Sequence, residues 1–115
     1  MNTRIEAVFL QTTRLSALAE FYQAGFELKE PQPGDEGQLG FQLGEVYFAL
    51  EQVSAYAPPP GAIIIWFRVE NVIVVYNQLL KLGAKVKSPP LKMESEIVAS
   101  VFDPDGNAIG LIGNQ

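Results

Sequence analysis

The sequence predicts an α+β fold made of two βαβββ modules. Three observations predict it. One order of apolar runs, strand then helix then three strands, occurs twice; a proline-rich segment separates the two occurrences; and the second ends on an Asp-Pro-Asp-Gly turn suited to a hairpin. The modules are placed at residues 4–53 and 62–113, joined by a spacer at 54–61.

In the first module, Ile5 to Gln11 is rich in apolar and β-branched residues and is predicted as a strand. Thr12 and Thr13 then offer a hydroxyl cap to a helix from Arg14 to Gln23, with Leu15, Leu18, Ala19 and Tyr22 on one face. Ala24-Gly25 is expected to stop that helix, Phe26 to Glu30 to alternate as a half-exposed strand, and Pro31 to Gly37 to form a loop. Leu39 to Leu43 and Val46 to Gln52 flank Gly44-Glu45, a glycine-first pair that suits a tight hairpin. Ala57-Pro58-Pro59-Pro60-Gly61 follows as a stiff, extended spacer, because proline fixes its own backbone and donates no hydrogen bond.

The second module begins with a strand from Ala62 to Val69. Val72-Ile73-Val74-Val75 has strand propensity, but an Asn71 cap, the Tyr76 to Lys81 continuation and the repeat predict a helix to about Leu82. Val72, Val75, Tyr76 and Leu79 then face the sheet, while Val74 points away with Asn77, Gln78 and Lys81. Gly83 stops the helix, Ala84 to Lys87 is a strand, and Pro89-Pro90 is a loop. Ile97 to Phe102 pairs with Ala108 to Ile112 around Asp103-Pro104-Asp105-Gly106-Asn107, where both aspartates are explained as turn formers that cap backbone N–H groups. The copies align at Phe9-Leu10-Gln11-Thr12 with Trp66-Phe67-Arg68-Val69, and at Ala24-Gly25-Phe26-Glu27-Leu28 with Leu82-Gly83-Ala84-Lys85-Val86. Neither copy is large enough to bury a stable core unaided, so they are expected to form one domain over 1–115.

Composition removes several chemistries. With 8 Lys+Arg against 13 Asp+Glu the net charge is −5, so the field opposes nucleic acid and anionic membranes as partners. There is no histidine and no cysteine, which excludes imidazole and thiolate ligands, Ser–His and Cys–His nucleophiles, and disulfides. No glycine-rich loop joins a strand to a helix to cradle phosphates. The longest apolar run, Ala62 to Phe67, is far short of the roughly 20 residues that span a bilayer, and no cationic start precedes an apolar run, so a cytoplasmic location is expected.

The repeated unit, Glu20-Phe21-Tyr22 at the end of the first helix, Leu82-Gly83-Ala84 after the second, and the terminal Asp103-Pro104-Asp105-Gly106-Asn107 turn together resemble the vicinal oxygen chelate superfamily. That family includes glyoxalase I, extradiol dioxygenases, fosfomycin-resistance enzymes and bleomycin-resistance proteins. The resemblance implies modules whose sheets curl into a cup, and pairing into homodimers, which would also cover sheet edges and apolar surface. It further implies four metal-ligand positions, which fall here on Ala7, Ala49, Ile64 and Gly110. None offers a donor atom, Glu51 is the nearest carboxylate, and no metal or other cofactor is expected.

Strand alternation puts Ile5, Phe9 and Gln11 on the face of Ala7, Tyr47 and Glu51 on that of Ala49, and Trp66 and Arg68 on that of Ile64. Phe9, Gln11, Tyr47, Glu51, Trp66 and Arg68 are therefore the candidate ligand-binding residues, an apolar lining with sparse polar groups. No catalytic residue is assigned. Phe9, Tyr47 and Trp66 could instead fill a core, and Arg68 with Glu51 could be an ion pair at a strand end. Three functions stay open at this point: a metal-independent binder of an amphipathic or aromatic small molecule, a lyase- or dioxygenase-like enzyme with a non-standard site, and an interaction module with a vestigial cleft.

Overall fold

The computed structural model describes residues 5–35, 37–55 and 63–115; the expected spacer Ala57-Pro58-Pro59-Pro60-Gly61 lies outside them. Residues 5–55 and 63–115 fall into two compact units, and each has the order βαβββ. In the first, β1 (Ala7–Thr12), α1 (Leu15–Gly25), β2 (Gln32–Pro33), β3 (Gln38–Leu43) and β4 (Val46–Gln52) form a sheet of order β1-β4-β3-β2 with one helix. The second repeats it with β5 (Ile64–Arg68), α2 (Val72–Lys81), β6 (Lys85–Met93), β7 (Glu96–Phe102) and β8 (Ala108–Gly113), in the order β5-β8-β7-β6. In each unit the first strand runs parallel to the last, and the other pairings are antiparallel.

Each helix covers one face of its own sheet. Leu18, Ala19 and Tyr22 of α1 are buried with Phe41, Phe48 and Leu50, and the Tyr22 and Phe48 rings meet edge to face at 5.0 Å. Val72, Tyr76 and Leu79 of α2 are buried with Val101, Ile109 and Leu111. Each such large apolar side chain contributes about 1.5–3 kcal/mol by leaving water. Val75 is half-buried and Val74 exposed, as the helical spacing predicts. Among the described residues, no helix is long and apolar enough to cross a membrane.

The helix starts differ. Asn71 caps α2 by accepting from the Val74 N–H at 3.1 Å, as expected. The expected hydroxyl cap of α1 is absent from the helix itself: Thr12 Oγ1 accepts from the Arg14 N–H, while the Leu15 N–H donates to Gln52 Oε1, brought from the end of β4.

Four expectations are corrected. Gly25 lies inside α1, and the stop falls later: the Leu28 N–H donates to Gln23 O and Glu27 is left-handed at φ 54. The strand expected over Phe26 to Glu30 is absent because those residues complete this helix end, and the pairing passes to Gln32–Pro33 within the expected loop. In α2 the matching bond runs from the Ala84 N–H to Leu79 O, with Gly83 at φ 106. The second alignment of the modules is therefore two residues off: Glu27, not Gly25, corresponds to Gly83.

The fourth correction concerns β6, which runs through Pro89-Pro90 to Met93 instead of breaking into a loop. It is an edge strand, where the missing N–H groups are tolerated, and its register shifts between Val86 and Ser88 and between Ser88 and Leu91. The Gly44-Glu45 and Asp103-to-Asn107 turns form as expected, and the Asp103 carboxylate accepts from the N–H groups of Asp105 and Asn107 and from the Asn107 amide.

Candidate functional site

The face of each sheet turned away from its helix holds the candidate residues. In the first unit the registers Ala7↔Tyr47, Phe9↔Ala49 and Gln11↔Glu51 put all six side chains on one face. β3 adds Gln38 beside Glu51 and Gly40 beside Ala49. The Phe9 and Tyr47 rings meet edge to face at 6.3 Å and 64°. Tyr47 lies across Gly40, where an added Cβ would fall on its ring carbons and hydroxyl oxygen. Beyond the rings, Glu51 accepts a hydrogen bond from Gln11 Nε2 at 3.1 Å and one from Gln38 Nε2 at 3.4 Å. This gives a polar row across β1, β4 and β3, next to an aromatic pair.

In the second unit Trp66 pairs with Gly110 and Arg68 with Ile112. The indole lies across Gly110, where a Cβ would fall on Cδ2 and Cε3. It stays 52% exposed, and Phe9 in the first unit 45%, so neither ring is core filling. Arg68 donates to Glu96 Oε2 at 2.7 Å, and this exposed pairing raises the guanidinium pKa above its ordinary value. Within their own units, Glu51 takes the two glutamine amides and Arg68 takes Glu96. A hollow of about 410 Å³ opens beside Arg68, lined by Val69, Glu70, Asn114 and Gln115.

Gln38, Gly40 and Glu96 escaped sequence reasoning. For the first two the signal was present: counting outward from the Gly44-Glu45 turn pairs Leu43 with Val46 and so Gln38 with Glu51 and Gly40 with Ala49. Glu96 carried no such signal, because Arg68 reaches it past the intervening β8.

A divalent metal does not fit the four positions that the resemblance implies. Ala7, Ala49, Ile64 and Gly110 carry no donor, the Trp66 indole occupies the space above Gly110, and no cluster of three His, Cys, Asp or Glu able to hold a metal occurs among the described residues.

Solved structures share the fold over nearly the whole chain. A glyoxalase-related enzyme from Fulvimarina pelagi is 21% identical with TM-score 0.84, covering 98% of this chain and 89% of that one. A glyoxalase/bleomycin resistance protein/dioxygenase family enzyme from Burkholderia phytofirmans PsJN is 16% identical with TM-score 0.79, covering 96% and 98%. The fosfomycin resistance protein FosX from Mesorhizobium loti is 17% identical with TM-score 0.74, covering 100% and 94%. At these identities the likeness concerns the fold, with its two curled four-stranded sheets. No curated protein sequence matches. The model of the Glyoxalase/Bleomycin resistance protein/Dioxygenase superfamily, however, matches residues 4–111, and the chain belongs to that superfamily.

Proposed function

We propose that this protein is a metal-independent binder of an aromatic or amphipathic small molecule, held on the strand faces turned away from the helices. The observation that carries this reading is Trp66 lying across Gly110. The position where the family's fourth ligand would stand is a glycine, and the indole uses the vacated room while half its surface faces solvent. An exposed indole supported from beneath by a backbone is a stacking platform of low conformational cost. On the other unit, Phe9 and Tyr47 supply a second apolar platform with Gln11 and Glu51 as its sparse polar groups, while Arg68 is the polar group on the strand of Trp66. Arg68 spends one N–H on Glu96 and keeps other donors of its guanidinium fork for a ligand. Phe9, Gln11, Tyr47, Glu51, Trp66 and Arg68 are thus the proposed binding residues, acting without a catalytic group or cofactor, in a cytoplasmic homodimer.

Trp66 is the sole tryptophan, so its fluorescence reports directly on the site. Saturable quenching by members of a small-molecule library is expected, with calorimetry of the same compounds showing roughly tenfold or greater loss of affinity in Trp66→Ala. Native mass spectrometry of the purified protein should show a dimer, twice 12.6 kDa, with no stoichiometric metal. A stoichiometric divalent ion would overturn metal independence, and a library without one saturable quencher would overturn binding.

A further inference from the structure

Among the described residues, no cation pairs with the Glu51 carboxylate, whose hydrogen-bond partners are the neutral amides of Gln11 and Gln38, one on each oxygen. Neutral donors hold a carboxylate in place without cancelling its charge. By contrast, Arg68, an exposed cation on the equivalent face of the other unit, already has Glu96.

Phe9 stands two residues from Gln11 along β1, about 7 Å, on the face that carries Glu51. Its ring is exposed and braced by Tyr47, which is itself braced by Gly40. Aromatic faces carry negative quadrupole density and attract cations, most strongly beside an anion that lacks a counter-ion. A neutral aromatic would gain only the rings, and an anion would meet both Glu51 and the net charge of −5. The row is unsuited to a small hard metal ion, because the glutamines aim N–H groups at Glu51 and leave one carboxylate where several oxygen ligands are needed.

We propose that the face bearing Phe9, Gln11, Gln38, Tyr47 and Glu51 binds an organic cation, a protonated amine or quaternary ammonium carried on a flat apolar body. The cation sits against the Glu51 carboxylate and the apolar body lies on the Phe9 and Tyr47 rings. This names the ligand class for the binding reading above and rests on it.

The test is an NMR titration of the full chain with three probes that share a phenyl ring: benzyltrimethylammonium, 2-phenylethanol and 3-phenylpropionate. Benzyltrimethylammonium is expected to bind most tightly, to shift the side-chain amides of Gln11 and Gln38, and to weaken as salt is raised. Glu51→Gln, which keeps an acceptor oxygen, is expected to weaken it roughly five- to tenfold while leaving 2-phenylethanol unchanged. Unchanged cation affinity in Glu51→Gln, with the wild-type spectrum otherwise retained, would overturn the proposal. So would equal or tighter binding of the neutral or anionic probe at these amides, though small-molecule binding would then stand. If no probe shifted any resonance of either sheet face, the cation proposal and the binding reading would fall together.

Discussion

Glu27 holds a left-handed backbone, φ 54, at the position where the second unit has Gly83 at φ 106. The same hydrogen bond closes both helix ends, from the Leu28 N–H to Gln23 O and from the Ala84 N–H to Leu79 O. A side chain in this conformation costs about 1–2 kcal/mol, offset in part by the extra freedom glycine loses on folding. Glu27→Gly is therefore expected to raise stability by about 0.5–1 kcal/mol in urea denaturation. A destabilised variant would mean that Glu27 is held there by its side chain. The same reasoning explains why the turn at Glu94-Ser95, with Glu94 at φ 54, could not be read in advance, whereas Gly44 advertised its hairpin. At this scale the sequence placed every candidate side chain on its face, since alternation needs only the strand. It could not say that Tyr47 lies across Gly40 or Trp66 across Gly110, because those contacts depend on which distant residue the register brings alongside.

Whole elements were legible where local chemistry and pattern agreed. The second helix formed over a β-branched run because Asn71 capped it and its buried stripe matched the sheet. β6 was misread because proline is a breaker only where its N–H is needed, and edge position is a property of the sheet, not of the segment. Those prolines have a second effect. An edge strand with exposed Val86, Leu91 and Met93 is a template for pairing with another chain, and Pro89-Pro90 removes two donors and coincides with irregular register. Replacing both prolines with threonine is expected to increase self-association, seen as rising light scattering at high protein concentration. Unaltered scattering would remove this protective role.

Over the whole chain the two units correspond strand for strand, each with its first strand parallel to its last. The repeat was readable because each module had to solve the same problem, one helix on one face of four strands. Its chemistry differs, with a carboxylate held by neutral amides on one face and a guanidinium paired with a carboxylate on the other. Both helix starts also wait for chain that is made later. Asn71 caps α2 locally, but the first N–H of that helix, on Val72, donates to Gln115 O, just as the start of α1 waits for Gln52, 37 residues downstream of Leu15. On a chain emerging from the ribosome, neither helix can receive this bond until the last strand of its module has been made, so the segment translated earlier is the one finished late. Gln52→Ala, at a cost of about 1 kcal/mol, is then expected to speed unfolding and leave the folding rate nearly unchanged in stopped-flow measurements. A slowed folding limb would instead put the contact between α1 and the end of β4 among the first the chain makes.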